Sequence, residues 1–319
     1  MNDLSAFLAS CFSSPALLTS ACALLVVPTL AWLVVRLLGP PLDRMADDPG
    51  WQAALAAGAA ALPGTLFIVI GAATLRSGWD SACLQFATGR MLYGAIAVLT
   101  AFGVGRAAWK TVCRAHDVSR LVRQSSPAGP RARVAGQLAG VRIREIAAPG
   151  PVVLLAGMFR PVVLISTDVV HRVNDAELLA AIRHEAAHAR RGDLVCAAIV
   201  TFVADLVPLP VGAFLALFRR AREFAADAHA ARIADPCDLA SALLSLARPA
   251  AVVTSVAAFA DVGTVRDRLG ALLAPTSPQP SVTRRCVLTA ALATTFAAGV
   301  APVLTAVLLG FTCTMAMPA

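Results

Sequence analysis

The sequence predicts a mainly α integral membrane protein in which four transmembrane helices carry a cytoplasmic α+β domain with a small antiparallel sheet. Three observations lead there. Of 319 residues, 58% are hydrophobic and only 14% charged, whereas soluble chains carry about 25% charged residues; the mean hydropathy is +0.73. Four apolar runs, at about residues 15–38, 52–75, 91–112 and 287–312, are long enough to cross roughly 30 Å of hydrocarbon as helices. Between the third and fourth runs lies a long segment that mixes short β-branched stretches with helical periodicity, enough chain for one domain with its own core.

The spans divide the chain into residues 1–113 with three helices, a domain at 114–285, and 286–319 with the fourth helix and a short extracellular tail. The first run is not read as a cleavable signal, because Met1-Asn2-Asp3 brings no positive charge and no small-x-small site follows. Leu8-Ala9-Ser10-Cys11 is a chance likeness to a lipoprotein box. Orientation follows from basic residues beside the spans. Arg106, Lys110, Arg114, Arg120, Arg123, Arg131 and Arg133 follow the third, and Arg284 and Arg285 precede the fourth. The domain between them is therefore expected on the cytoplasmic side of a bacterial-type cell membrane, with both chain ends outside. The net charge of +8 is read as topology facing an anionic leaflet; no base-reading motif is present, which argues against direct nucleic-acid binding. Eight cysteines include no C-x-x-C pair, so they are expected as small buried hydrophobes, not as a zinc site or a disulfide framework.

Inside the domain, Val141–Ile146, Val152–Leu155 and Val162–Ile165 are the strands of the expected antiparallel sheet, separated by Pro-Gly-Pro and by Gly157-Met158-Phe159-Arg160-Pro161. Gln124-Ser125-Ser126-Pro127-Ala128-Gly129-Pro130 is expected to be weakly ordered, and Pro275–Ser281 to be a linker to the last span. Asn174-Asp175-Ala176-Glu177 carries the side chains of a helix cap, with Leu178, Leu179 and Ile182 following at helical spacing.

That helix leads into His184-Glu185-Ala186-Ala187-His188. Two imidazoles at i and i+4 share one helix face and are spaced to share one zinc ion, while the intervening carboxylate is placed to take a proton from the attacking water. With five His and four Glu in the chain, a chance H-E-x-x-H has a probability of about one in a thousand. A hydrolytic zinc needs a third protein ligand. Glu223 is the one glutamate after the motif, and Asp227, one turn further, is placed to accept the other ring N–H of a ligating histidine. A surface glutamate ion-paired among Arg219, Arg220 and Arg222 is the competing reading.

Residues 194–218 are apolar enough to suggest another span, but a single crossing would put His188 and Glu223 on opposite sides of the membrane. Pro208-Leu209-Pro210 breaks the run into two pieces, each short for a crossing. A hairpin that dips into the inner leaflet or packs on the other spans is therefore expected. Asp205 in this run is costly unless paired, and is read either as a polar tip at the interface or as functional.

The motifs resemble the BlaR/MecR-type membrane zinc metallopeptidases, gluzincins whose third ligand is a glutamate. The likeness lies in Phe159–Ser166, in Leu178–Asp193 with its trailing Arg191-Gly192-Asp193, in Glu223-Phe224-Ala225-Ala226-Asp227, and in Val265–Leu273 as a closing helix. It covers roughly residues 90–312. It implies His184, His188 and Glu223 as ligands of one Zn2+, Glu185 as general base, and Asp193 and Asp227 as supporting carboxylates. Antibiotic-sensing members continue past the last span into an extracellular penicillin-binding domain; this chain is expected to lack it, and direct β-lactam sensing is not expected.

The expected reaction is peptide-bond hydrolysis. The substrate is expected to add a strand to the edge of the sheet, with Val162, Val163 and Leu164 as the receiving strand. His229, Arg222 and Arg232 are the candidates for stabilising the oxyanion. The resemblance implies regulatory cleavage of a cytoplasmic transcriptional repressor of the BlaI/MecI kind, or of the chain itself. A membrane quality-control protease like HtpX and a non-catalytic receptor of the same fold are the alternatives. The Arg-Gly-Asp tail and the Phe-Arg-Pro hairpin favour the first, and a homodimer is an open alternative.

Overall fold

The computed structural model describes residues 24, 26–34, 36–37, 49–79, 87–246 and 262–273. The expected span at 287–312, residues 15–23 of the first, and the linker at 275–281 lie outside them. Residues 24, 26–34 and 36–37 are helical. Two long apolar helices follow, α1 (Pro49–Trp79) and α2 (Ala87–Gln124). Within them, Pro49–Ala72 and Gly94–Gln124 are long and apolar enough to cross a membrane. The α2 helix does not end with its apolar run at 112 but continues to Gln124, because Val118, Leu121 and Val122 recur at helical spacing and pack on Val162 and Leu164 of the sheet. One helix thus joins the apolar layer to the domain core.

The sheet contains β1 (Ser126–Pro127), β2 (Arg142–Ile146), β3 (Val153–Ala156) and β4 (Val162–Ser166) in the order β1-β2-β4-β3. It is mixed, not antiparallel as the sequence suggested: β2 and β4 run parallel, while β1·β2 and β3·β4 are antiparallel. The expectation assumed that consecutive strands lie side by side, but β4 inserts between β2 and β3. This also overturns Val162, Val163 and Leu164 as a receiving strand. Their strand is paired along both edges and buried on both faces, so no peptide can add to it. Among the described residues the open edge next to β4 belongs to β3. The Val152 carbonyl accepts from Ser166 N–H at 2.8 Å. By antiparallel alternation, Leu154 and Ala156 therefore turn their backbone groups to β4, and Val153 and Leu155 turn theirs outward.

The stretch expected to be weakly ordered is ordered. Ser126 and Pro127 pair with Glu145 and Arg144, and Glu145 Oε1 accepts from Gly129 N–H at 2.7 Å. Gly129 then caps α3 (Pro130–Ala139), whose Pro130 fills an early helical position that needs no N–H donor. Proline and glycine mark a corner here.

Helices α4 (Thr167–Arg172), α5 (Asp175–Arg190), α6 (Asp193–Ala204), α7 (Gly212–Ala230), α8 (Pro236–Leu246) and α9 (Val262–Leu273) complete the described chain. A reciprocal cap starts α5: Asn174 Oδ1 accepts from Glu177 N–H, and Glu177 Oε2 accepts from Asn174 N–H, each at 2.9 Å. Leu178, Ile182 and Ala186 form its buried stripe and pack with Ala132, Ala135, Ile165 and Val169. Burial stabilises by roughly 1.5–3 kcal/mol for each of the larger side chains, which fixes the rotation of the helix and hence the direction of His184 and His188.

Gly192, at φ +67°, makes the corner between α5 and α6. The apolar run then breaks at 205–211, and α7 continues beyond it to Ala230, so the ligand candidate Glu223 sits on the returning helix. Helices α6 and α7 both pack on α1. The approach is close: a Cβ on Gly64 would stand 1.9 Å from the Val203 carbonyl oxygen, and one on Gly103 would stand 2.7 Å from that of Leu206. Small residues at helix contacts permit such approach in apolar surroundings. Asp205 at the tip is paired, with Lys110 Nζ at 2.8 Å and Arg114 Nη2 at 2.7 Å, and Arg106 donates to its backbone carbonyl.

Candidate metal centre

Three ligand-type side chains converge: one ligand atom each from His184, His188 and Glu223 lies within 4.8 Å of the others. The two histidines are one turn apart on α5, and their rings meet nearly at right angles with centroids 4.9 Å apart. Glu223 on α7 faces both, with Oε2 3.3 Å from His184 Nε2 and Oε1 3.4 Å from His188 Nε2. Donors around a tetrahedral ion bound at roughly 2.0–2.1 Å stand about 3.3 Å apart, so the spacing fits one small divalent cation.

The far nitrogens of both rings meet carboxylates. His188 Nδ1 stands 2.6 Å from Asp193 Oδ2. His184 Nδ1 stands 2.9 Å from Asp227 Oδ1, a close ion-pair contact without the alignment of a full hydrogen bond. A carboxylate at Nδ1 holds the ring proton there and leaves the Nε2 lone pair for a cation. Both imidazoles and both supporting carboxylates are buried. Asp193 reaches His188 because the Gly192 corner places it immediately after the motif helix, and Asp227 reaches His184 because it lies one turn beyond Glu223.

Electrostatics favour positive charge between these groups. Burial alone would lower the pKa of His184, but the close negative charge of Asp227, with help from Glu223, raises it to about 10. His188 is raised for the same reasons: burial opposes charge, and the hydrogen bonds of Asp193 and Glu223 outweigh it. Burial would raise Glu223, yet the two histidines hold it well below the usual carboxylate range. Glu185 is different. It is half-buried, and burial pushes its carboxyl up against the pull of both histidines, which moves it towards the range useful for a proton acceptor.

The structure brings His184, Glu185, His188, Asp193, Glu223 and Asp227 into one group. It does not bring His229, which lies six residues beyond Glu223 and so is turned about 120° around the helix at 100° per residue. Arg232 is exposed, and Arg222 lies over the Phe218 ring with Nε 3.6 Å from Asp193 Oδ2. Arg268, which sequence reasoning did not single out, enters from α9: Nε and Nη2 bond the two oxygens of Asp227 at 2.7 and 2.8 Å, and Nη1 stands 3.2 Å from Glu223 Oε2. Its signal was its place on the apolar stripe of α9, between buried Val265 and the packed Leu272.

A helix-borne histidine pair and a distant glutamate, with a second glutamate between the histidines, form a group that could hold a metal ion. Residues 141–271 match the family described as BlaR1 peptidase M56. Over that segment the chain is similar to the BlaR1-type M56 peptidases. The matched region contains every residue of the group and three of the four strands. Among curated proteins, none matches the chain.

Proposed function

We propose that this chain is a membrane-embedded zinc endopeptidase that cleaves a cytoplasmic protein, in a regulatory role. The observation that carries the reading is the meeting of His184 Nε2, His188 Nε2 and Glu223 at 3.3 and 3.4 Å beside Glu185. Imidazole nitrogens and a carboxylate in tetrahedral spacing suit zinc. When bound, the ion would supply a Lewis acid that polarises the scissile carbonyl and acidifies water.

The protein supplies the rest. Glu185 takes the proton of the attacking water and delivers it to the leaving amine. Asp227 and Asp193 hold His184 and His188 in one tautomer and one orientation. The substrate lies extended along β3, where the outward backbone groups of Val153 and Leu155 receive it and its side chains remain free to face the motif helix, which packs directly against β3.

The two apolar helices Pro49–Ala72 and Gly94–Gln124 support membrane residence, and the basic residues that follow the second support a multi-pass chain with its site on the cytoplasmic side. The M56 match supports a membrane metallopeptidase; the regulatory reading, with a BlaI/MecI-like repressor or the chain itself as substrate, is our proposal, and general quality control is the alternative. Two measurements test it: zinc content of the purified full chain against His184→Ala, and cleavage of a candidate repressor by Glu185→Gln. Zinc retained and cleavage lost in Glu185→Gln is the expected result; cleavage at the wild-type rate by that variant removes the proposal.

A further inference from the structure

A guanidinium keeps its charge at any physiological pH, so an arginine drawn into an interior needs anions around it. Arg268 has a side chain only 13% exposed and stands on the apolar stripe of α9. Its planar fork engages both oxygens of Asp227, and its third nitrogen approaches Glu223. One cation therefore touches two carboxylates that lie one turn apart on α7, of which one faces the ligand side of His184 and the other faces the opposite ring nitrogen. The arrangement behind His188 is looser. Asp193 meets Arg191 and Arg222 at 3.5 and 3.6 Å, neither as a fork, and neither arginine approaches Glu223.

We propose that Arg268 is a positioning residue of the metal centre, holding the Glu223 and Asp227 side chains in one relative geometry so that the His184 ring and the Glu223 carboxylate are set for a divalent cation. The inference rests on the zinc-peptidase reading and extends it to a helix that carries no ligand. The physical need is repulsion: Glu223, Asp227 and Glu185 crowd one partly dry site, and like charges at such distances drive side chains into other rotamers unless a cation lies between them. A fixed fork sets angle as well as charge, which a lysine ammonium does not.

A neighbouring ion pair separates this role from general helix docking. Arg220 on α7 meets Asp267 on α9 at 2.8 Å on the exposed side, so it joins the same two helices without touching the centre. The experiment compares the full chain in detergent as wild type, Arg268→Gln, Arg268→Lys and Arg220→Gln, reading zinc affinity by competition with a chromophoric chelator and kcat and KM on a peptide substrate. Arg268→Gln is expected to weaken zinc about 10–100-fold, as loss of a supporting contact behind a ligand does, and to lower kcat at saturating zinc with KM within about twofold. Arg268→Lys is expected between the two, and Arg220→Gln at the wild-type value. If Arg268→Gln does not fold, Arg268→Lys, which keeps the charge, carries the test. Zinc affinity and kcat at wild-type level in Arg268→Lys and in a folded Arg268→Gln overturn the inference, as does an equal loss in Arg220→Gln. A wild-type chain that binds no zinc fails differently, because it overturns the peptidase reading itself.

Discussion

Glu223 and Asp227, one helical turn apart on α7, address the two nitrogens of the same imidazole: Glu223 Oε2 lies 3.3 Å from His184 Nε2, and Asp227 Oδ1 lies 2.9 Å from His184 Nδ1. One helix thus supplies a ligand candidate and the group that orients its neighbour. Asp227→Asn keeps the shape but removes the charge that holds the Nδ1 proton and balances Arg268. Zinc affinity, by chelator competition, is expected to drop about 10–100-fold. An unchanged affinity would mean that Asp227 serves only the fold.

A metal bound at His184 would compete with the ring proton, which predicts two opposed pH dependences. Its folded pKa of about 10 stands above the ordinary 6.5, so in chelator its stabilising contribution is complete below pH 6.5 and is lost as pH rises towards 10. The loss is at most about 1.4 kcal/mol per pH unit for one group. Glu223, depressed by both histidines, acts at the other end: its contribution is present above the ordinary carboxylate range and is lost on acidification. Zinc binding displaces the imidazole proton, so affinity is expected to rise with pH, up to about tenfold per unit for each proton released. Thermal melts in detergent between pH 6.5 and about 10, with chelator and with zinc, should diverge. Parallel curves would show that His184 does not bind the metal.

The local chemistry of this centre was legible because each signal is short-range. The i, i+4 histidines, the cap at Asn174 and the turn from Glu223 to Asp227 follow from helix geometry alone. What was not legible depended on contacts distant in sequence. Arg268 is 41 residues from Asp227, and nothing local says which acid its charge will meet. Strand order is non-local too, although a clue was present: Val162-Val163-Leu164-Ile165 is a continuous apolar run, the mark of a strand covered on both faces, whereas Arg142-Ile143-Arg144-Glu145-Ile146 carries three charged residues. Reading that contrast would have placed β4 in the centre and removed it as a substrate edge.

The hairpin tip tests how the domain is held to the apolar helices. Asp205 gathers Lys110 and Arg114 on its carboxylate. Both cations are about half exposed, so screening limits what each pair contributes, and Asp205→Ala is expected to cost only about 1 kcal/mol. Gly64→Leu is a harsher change, since even a Cβ there would meet the Val203 carbonyl at 1.9 Å and overpacking costs typically about 1–3 kcal/mol or more. Thermal melts in detergent should therefore rank Gly64→Leu well below Asp205→Ala. The reverse order would mean that the ion pairs to α2, not close packing on α1, hold the hairpin.

Substrate docking on β3 has a test built into the strand's alternation. Leu155 turns its N–H to the open edge, so Leu155→Pro removes a donor that β4 never used; proline is tolerated at such edge positions. Leu154 turns its N–H to β4 opposite Leu164, so Leu154→Pro breaks the ladder itself. If peptide substrates add to this edge, Leu155→Pro raises KM several-fold with zinc affinity unchanged and with a melting temperature close to wild type, because one lost hydrogen bond contributes about 0.5–1.5 kcal/mol. Leu154→Pro instead lowers the melting temperature. Cleavage kinetics and melts on the two variants separate the outcomes, and an unaltered KM in a folded Leu155→Pro would move the substrate away from β3.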